Sequence, residues 1–328
     1  MKTKTLILQP TKENIALCAE ELRNGGLVAF PTETVYALGA VATNAVAVEK
    51  VFEVKGRPSD KPLIVAVARK SDIDNVVKAV PQKARVLIDK FMPGALTLVM
   101  KKAECIPSVV TACGDSVAVR IPNNEIALKL IELSDSPVVV PSANTSEKAS
   151  PTLAEHVKDD LEGKIRYILD GGASEIGIES TIVDVRCDPP VILRVGGVTV
   201  EQIESAIGHV ETKREDVKLS GYMPSAELMF AAYCDGMERN ITAKYDEITA
   251  RGKSAVICCL DNNVGLYNGR TVMTVGKDYT EYAHNLFALL RKADAEHFDA
   301  VIAEGVNPSG IGSSLIARLI KLSGGYII

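Results

Sequence analysis

The sequence predicts a mixed α/β fold in two domains, and three observations support this. In the first two-thirds of the chain, short β-branched runs alternate with stretches of helical period. Residues 95–121 and 180–194 each hold two such runs with no helix between them, which predicts hairpin-like pairs and hence a mixed sheet. A polar, charged segment from His209 to about Ser225 then separates this part of the chain from a second region in which strand-like and helical stretches alternate. With 328 residues, the chain is long enough for two domains with separate cores.

Eight apolar runs are the predicted strands of the first domain. They are Leu27 to Phe30, Leu63 to Val67, Ala95 to Met100, Val117 to Ile121, Val138 to Val140, Ile165 to Leu169, Ser180 to Val185 and Val191 to Arg194. Two helices are predicted between them. One is capped by Asn44 and ends near Lys55, and the other runs from Glu125 to Leu133.

The predicted boundaries give a first domain at 1–207, a linker at 208–240 and a second domain at 241–328. In the second domain, residues 254–260 and 300–303 have the composition of buried parallel strands. Helices are predicted near residues 279–292 and 313–322. This order predicts a small Rossmann-like domain.

Composition and charge exclude several classes of protein. Hydrophobic residues make up 47% and charged residues 24% of the chain, which excludes disorder of the whole chain. The net charge of -5 argues against a generally basic nucleic-acid binder and leaves only a local RNA contact. No apolar run is long enough for a signal peptide or a membrane span. We therefore expect a soluble cytoplasmic protein that has no membrane partner.

The seven cysteines form no CxxC pair and show no metal-ligand spacing. They are expected to be small core residues in a reducing compartment, and no metal site is predicted. All four histidines lie at or beyond residue 156. A histidine base or histidine metal site before residue 150 is therefore excluded.

The basic loop after the first predicted helix carries the main functional signal. Lys55, Arg57 and Lys61 place three cations within seven residues, which suits the oxygens of a phosphate or pyrophosphate. The alternative is a solvated basic surface. Two apolar strands that end in small polar groups favour a site, since ligands of open α/β sheets lie beyond strand ends. These strands lead into Thr32 to Thr34 and into Ser142 to Asn144.

Six motifs, read in order, resemble the YrdC-like threonylcarbamoyl-AMP synthases. They are PTETVYALG, KGRPSDKPLIV, SVAVRIP, PSANTSEKASPT, GIESTIVDV and ILRVGG. The likeness covers about residues 5 to 207, and the remaining third resembles the C-terminal domain of that family's long form. The resemblance implies a twisted YrdC-like sheet domain followed by the Rossmann-like domain.

The family reaction is implied by the same resemblance. Threonine takes up bicarbonate or carbon dioxide, and the carbamate attacks the α-phosphate of ATP, releasing pyrophosphate. The product serves threonylcarbamoylation of adenosine 37 in tRNA. The implied cofactors and co-substrates are ATP, Mg²⁺, bicarbonate and L-threonine, and tRNA or tRNA-modification proteins are candidate partners.

The resemblance also assigns roles residue by residue. The implied catalytic residues are Lys55, Arg57, Ser142 and Asn144. The implied ATP-binding residues are Lys55, Arg57, Lys61, Thr111, Ser142, Ser150 and Arg194. The implied threonine-binding residues are Thr32, Thr34, Arg120, Val140, Ser142 and Ser180. Glu33 and Glu179 are lower-ranked candidates for a magnesium ion or the substrate amine.

Three of these assignments have structural alternatives. The hydroxyls of Thr32 and Thr34 could instead cap backbone amides within a turn. Ser150 could help to start the following helix. For these residues the sequence leaves both roles open.

The chain departs from the family pattern at several positions. Ala37 replaces a glycine and is expected to crowd the backbone or exclude positive φ. Ala66 replaces a histidine that contacts threonine in the long form, and Ala317 replaces an asparagine. Tyr222 or Tyr233 could stand in for the tyrosine of the family's linker. A non-catalytic nucleotide- or RNA-binding paralogue is therefore an alternative, as is a related carbamoyl-transfer or acyl-adenylate enzyme for another amino acid.

Overall fold

The computed structural model describes residues 4–146, 148–213 and 224–328. The chain divides into two compact units. The first unit comprises residues 1–146 and 150–215, and the second comprises 147–149 and 216–328. Tyr222, one of the two candidate linker tyrosines, lies outside the described residues.

The described part of the first unit contains one large mixed sheet. Its strands are β1 (Leu6–Leu8), β2 (Val28–Phe30), β3 (Ala37–Val41), β4 (Ile64–Ala66), β5 (Leu96–Lys101), β6 (Ser116–Arg120), β7 (Val138–Val139), β8 (Tyr167–Leu169), β9 (Thr181–Asp184), β10 (Val191–Arg194) and β11 (Glu211–Thr212). Their order across the sheet is β1-β8-β2-β3-β7-β4-β6-β5-β9-β10-β11. β5 and β6 are antiparallel, as are β9 and β10, so both predicted hairpin-like pairs are confirmed.

All eight predicted strands of this sheet are present, with ends within two residues of those expected. The sequence interpretation missed β1, β3 and β11. β3 directly follows the hydroxyl-rich turn and contains Gly39, which weakens its strand signal. Its pairing with β2 and β7 and its complete burial outweigh that weak propensity.

The helices of the first unit are α1 (Lys12–Arg23), α2 (Ala45–Lys55), α3 (Gln82–Phe91), α4 (Glu125–Leu133), α5 (Ala154–Leu161) and α6 (Val200–Ile207). The predicted cap is confirmed, because the Asn44 side chain accepts a hydrogen bond from the Ala47 amide. Gly56, in the left-handed conformation with a φ of 58°, ends α2. Lys55 thus occupies the last helical position, directly before the basic loop.

Apolar side chains cover both faces of the sheet. One cluster packs α2, α3, α5 and α6 against one face, and a second cluster packs α1 and α4 against the other. Leu38 and Val139 on the first face are fully buried, as are Val28 and Val138 on the second. Burying each such side chain contributes roughly 1.5–3 kcal/mol to folding. The central strands are therefore a rigid support for the loops at their ends.

The second unit is a smaller α/β domain with a parallel sheet. Its strands are β12 (Glu227–Phe230), β13 (Ala255–Cys259), β14 (Val272–Thr274) and β15 (Ala300–Ala303), in the order β12-β15-β13-β14. Its helices are α7 (Met237–Ala250), α8 (Tyr279–Ala295) and α9 (Ile311–Leu322). The predicted parallel strands are confirmed. Segment 208–240 contains β11, β12 and the start of α7, so regular structure occupies part of the predicted linker.

The prediction that the cysteines are core residues is correct for three of the seven. Cys18, Cys258 and Cys259 are buried, whereas Cys105, Cys113, Cys187 and Cys234 are exposed, which corrects their assignment to the core. All seven are free thiols. Among the described residues, no helix is both long and apolar enough to cross a membrane.

Candidate active site

Lys55 joins the end of α2 to the loop after β7. Its ammonium donates to the carbonyl oxygen of Ser142 and, at 2.6 Å, to that of Asn144. The Asn144 side-chain oxygen lies 3.5 Å away. Lys55 is only 2% exposed. The structure therefore brings three predicted site residues together, and Lys55 holds the loop that carries the other two.

Burial perturbs the charge of Lys55. Desolvation, together with the nearby Arg57 cation, lowers the pKa of its ammonium to about 7. The Asp160 carboxylate acts in the opposite direction. An additional anion at this position would stabilise the charged form of Lys55.

Arg57 lies in the basic loop with Lys61, and both side chains are half-buried. One terminal nitrogen of Arg57 donates to the Pro62 carbonyl at 3.3 Å. Its Nε is buried and has no partner among the described residues. Burial lowers the pKa of the guanidinium, and Asp60 opposes this shift. Arg57 therefore retains a donor that an anionic ligand could use.

Thr32 and Thr34 form the hydroxyl-rich turn after β2. Their hydroxyl oxygens lie 2.8 Å apart, and the Thr32 hydroxyl donates to the Val35 carbonyl at 2.6 Å. The amides of Thr34 and Val35 donate to the Thr32 hydroxyl, each at 3.3 Å. The turn-capping interactions allowed as the alternative are therefore present, and Thr32 is occupied by its own turn.

Arg120, at the end of β6, forms a buried ion pair with Glu33. Its terminal nitrogen lies 2.6 Å from Glu33 Oε1, and the two side chains are 7% and 2% exposed, respectively. The other terminal nitrogen donates to the Thr34 hydroxyl at 3.1 Å. Arg120 Nε and Glu33 Oε2 are buried and lack partners among the described residues. The charge at this strand end therefore has an internal partner, yet each side chain keeps one unused polar atom.

Ser180 and Arg194 form another cluster near the start of β9. Arg194 donates to the Ser180 carbonyl at 2.9 Å and to its hydroxyl at 3.1 Å. Thr97 of β5 lies 2.8 Å from the same hydroxyl. A residue predicted to bind threonine thus contacts one predicted to bind ATP. Thr97 was missed, although a lone hydroxyl within an apolar strand was its signal.

The remaining predicted residues lie in the loops around these clusters. The Ser150 hydroxyl contacts Glu179 Oε1 at 3.0 Å. Thr111 forms its own turn, donating to the Gly114 carbonyl at 2.9 Å. Val140 is buried and bound through its amide to the Ile64 carbonyl at 2.8 Å. The hydrogen bonds described for these three residues are all within the protein, and they do not by themselves indicate a ligand contact.

Backbone hydrogen bonds connect the clusters. The Ala143 amide donates to the Tyr36 carbonyl at 2.8 Å, which connects the loop of Ser142 to the segment just after the hydroxyl-rich turn. The Ile176 amide donates to the Glu33 carbonyl at 2.7 Å, which ties that turn to the segment before Ser180. Loops far apart in the sequence are therefore fixed around one region of the first unit.

The positions that depart from the family pattern are apolar and ordered. Ala37 lies within β3 and has no positive φ, so its methyl group imposes no left-handed strain. Ala66 is fully buried in β4, with Arg120 and Val138 as its partners on the neighbouring strands. The family's histidine position is therefore directly beside the Arg120 ion pair. Tyr233 is 55% exposed.

Two sequence-family models match this chain, one over each part of it. The sequence model for the Sua5, YciO and YrdC proteins, described as telomere recombination, matches residues 20–196. The model for the C-terminal domain of threonylcarbamoyl-AMP synthase matches residues 198–324. Together they span most of both units.

Full-length relatives give the more specific identification. The threonylcarbamoyl-AMP synthase of Pyrococcus abyssi is 43% identical, covering 96% of this chain and 95% of the relative. That of Bacillus subtilis is 40% identical over the full length of both. The crystal structure of P. abyssi Sua5 complexed with L-threonine matches with a TM-score of 0.93 and 41% identity, covering 99% of each chain. The chain belongs to the threonylcarbamoyl-AMP synthase family, a family of enzymes, which confirms the predicted resemblance.

Proposed function

We propose that this protein converts L-threonine, bicarbonate or carbon dioxide, and ATP into L-threonylcarbamoyl-AMP and pyrophosphate. The observation that carries the proposal is the assembly of the predicted motifs in the first unit. Lys55 meets Ser142 and Asn144 across 87 and 89 positions, and Arg120 meets Glu33 across 87. Family membership supplies the reaction, and these contacts support its location.

The chemistry requires the protein mainly to position reactants and stabilise charge. The threonine nitrogen, after its ammonium loses a proton, forms a bond to carbon dioxide and releases a second proton to solvent. A carbamate oxygen then attacks the α-phosphorus while the bond to pyrophosphate breaks. Such a transfer needs cations beside the phosphates and needs no protein nucleophile. We assign phosphate binding to Arg57 and Lys61, and support of the Ser142 loop together with charge stabilisation to Lys55.

The remaining ATP-binding assignments stay with Thr111, Ser142, Ser150 and Arg194, and the threonine-binding assignments with Thr32, Thr34, Arg120, Val140, Ser142 and Ser180. We assign Mg²⁺ to the nucleotide, as MgATP. Among the described residues, no group of three acidic, histidine or cysteine side chains could hold a metal ion. We further propose that the product serves tRNA adenosine 37 in the cytoplasm.

The test is pyrophosphate release from ATP and bicarbonate, with threonine, serine or no amino acid, and with the adenylate identified by mass. Threonine-dependent formation of the adenylate is expected. Arg57→Ala should weaken ATP binding by about 1.5–3 kcal/mol, because the phosphate loses a charged donor. Arg85→Ala is the control, since Arg85 is an exposed residue of α3.

Three results would contradict the proposal. Turnover without threonine would overturn it, and turnover with serine alone would favour another amino acid. ATP or RNA binding that threonine does not affect, with no adenylate formed, would favour the non-catalytic alternative.

A further inference from the structure

In the ion pair of Glu33 and Arg120, each side chain has one buried polar atom without a hydrogen-bond partner among the described residues. One carboxylate oxygen and two terminal nitrogens have partners, while Glu33 Oε2 and Arg120 Nε have none among the described residues. Both side chains are more than nine-tenths buried. A buried charged group that lacks hydrogen-bond partners destabilises the folded state. The pair therefore has an acceptor and a donor that a ligand could satisfy.

The two unused atoms have opposite hydrogen-bonding character. Glu33 Oε2 can only accept when the carboxylate is ionised, and Arg120 Nε can only donate. An ammonium group offers donors and no acceptor, and a carboxylate offers acceptors and no donor. The zwitterionic end of a free α-amino acid carries these two groups one carbon apart.

We propose that Glu33 is the receptor for the substrate ammonium, acting beside Arg120, which takes the substrate carboxylate. The proposal rests on the proposed function and names the group that selects an amino acid over other small carboxylic acids. The Thr34 hydroxyl, bound to Arg120 at 3.1 Å, fixes the guanidinium in this arrangement. Glu33 is thus a binding residue of the threonine pocket.

The consequence is strong discrimination against a ligand that lacks the amine. A site built to pair with a polar group rejects an analogue without it, because the buried partner is left unpaired. A hydrogen bond to a charged group corresponds to about a tenfold to hundredfold difference in affinity. The matched analogue is 3-hydroxybutanoate, which is threonine without its ammonium group.

Calorimetric titration of the full chain with each ligand tests the proposal. The wild type should bind L-threonine at least about tenfold more tightly than 3-hydroxybutanoate. Glu33→Gln keeps an oxygen for Arg120 but turns an amide N–H₂ toward the ligand. It should remove most of this preference while ATP affinity remains unchanged.

Two further variants separate binding from folding. Glu33→Asp retains the charge on a shorter side chain and should keep part of the preference, so it replaces Glu33→Gln if that variant fails to fold. Glu304→Gln alters a buried carboxylate of the second unit and should leave the preference intact. An unchanged preference in Glu33→Gln, or no loss of preference in a folded Glu33→Asp, would overturn the proposal. If the wild type makes the adenylate, either of these results would refute the role of Glu33 but not the proposed function. A wild type that neither binds threonine nor makes the adenylate would refute the role of Glu33 and the proposed function together.

Discussion

Each of the two units buries a glutamate just beyond the end of an interior strand, and the two carboxylates differ in how many of their oxygens have hydrogen-bond partners. Glu304, directly after β15, is 2% exposed, and both of its oxygens have partners. Oε2 accepts from the Leu260 amide at 2.9 Å, and Oε1 accepts from the Tyr267 hydroxyl at 2.7 Å. The Asn263 amide contacts both oxygens. Glu33 is buried to a similar degree, but its Oε2 has no hydrogen-bond partner in the part of the chain that the structure describes.

This difference shows how a structural carboxylate can be told from a ligand receptor. Glu304 ties β15 to the segment after β13, and its donors come entirely from its own unit. Glu33 is paired on one side only, although it lies in a rigid turn. Buried polar groups are nearly always satisfied in native proteins, so an unused buried atom indicates a missing partner. In the first unit that partner is the proposed substrate.

The largest expected effect comes from removing the cation beside Glu33. Arg120→Met leaves the Glu33 carboxylate buried without its ion partner and should lower the free energy of unfolding by about 3–5 kcal/mol. Urea denaturation measures this loss. Arg69→Met is the control, because Arg69 forms an ion pair with Glu132 at the surface, where the two side chains are 63% and 38% exposed. That exposed pair should contribute about 1 kcal/mol or less. If Arg120→Met and Arg69→Met lowered the free energy of unfolding equally, the ion pair of Glu33 and Arg120 could not be buried as described.

A smaller effect is expected from Glu304→Gln. The amide group of glutamine must turn donors toward the Leu260 amide or the Tyr267 hydroxyl, so the unfolding free energy should fall by about 1–3 kcal/mol. Threonine affinity should not change. If Glu304→Gln had normal stability but bound threonine more weakly, Glu304 would not be a purely structural carboxylate that differs from Glu33.

The buried cation of the first unit should give a pH-dependent stability. In the unfolded chain Lys55 keeps its proton up to its ordinary pKa of 10.5, whereas in the folded protein its pKa is about 7. Unfolding therefore takes up a proton between these values, and stability rises with pH there. The slope is at most about 1.4 kcal/mol per pH unit. Below pH 7 both states are charged, and the destabilisation caused by burial is fully present.

Lys55→Met should abolish this contribution. We expect the difference in unfolding free energy between wild type and variant to shift in favour of the wild type as pH rises from 7 to 10. Lys78→Met, at an exposed position of the same unit, should follow the wild type. Parallel pH profiles for wild type and Lys55→Met would show that Lys55 is not desolvated.

The smallest effect should come from Tyr267→Phe, which removes one donor from Glu304. Oε1 keeps its contact with the Asn263 amide at 3.0 Å, so the carboxylate stays partnered. A loss of about 0.5–1.5 kcal/mol is expected in thermal or urea unfolding. A loss as large as that of Glu304→Gln would mean that the tyrosine alone satisfies this oxygen.

The sequence predicted the local structure well because its signals are local. Asn44 is three residues from the amide that it caps, and the α4 bounds of Glu125–Leu133 follow from one stretch of helical period. The ion pair of Arg120 and Glu33 joins residues 87 positions apart. Its geometry depends on strand order, so Arg120 could be assigned a substrate carboxylate without its internal partner being foreseen. The contact of Thr97 with Ser180 across 83 positions was missed for the same reason.

A crystal structure of this protein with L-threonine would show directly whether Glu33 binds the substrate ammonium. If Glu33 binds the substrate ammonium, the threonine nitrogen should lie about 2.7–3.2 Å from Glu33 Oε2, with the threonine carboxylate on Arg120 Nε. A bound threonine whose nitrogen contacts other residues, with only water at Glu33 Oε2, would contradict it.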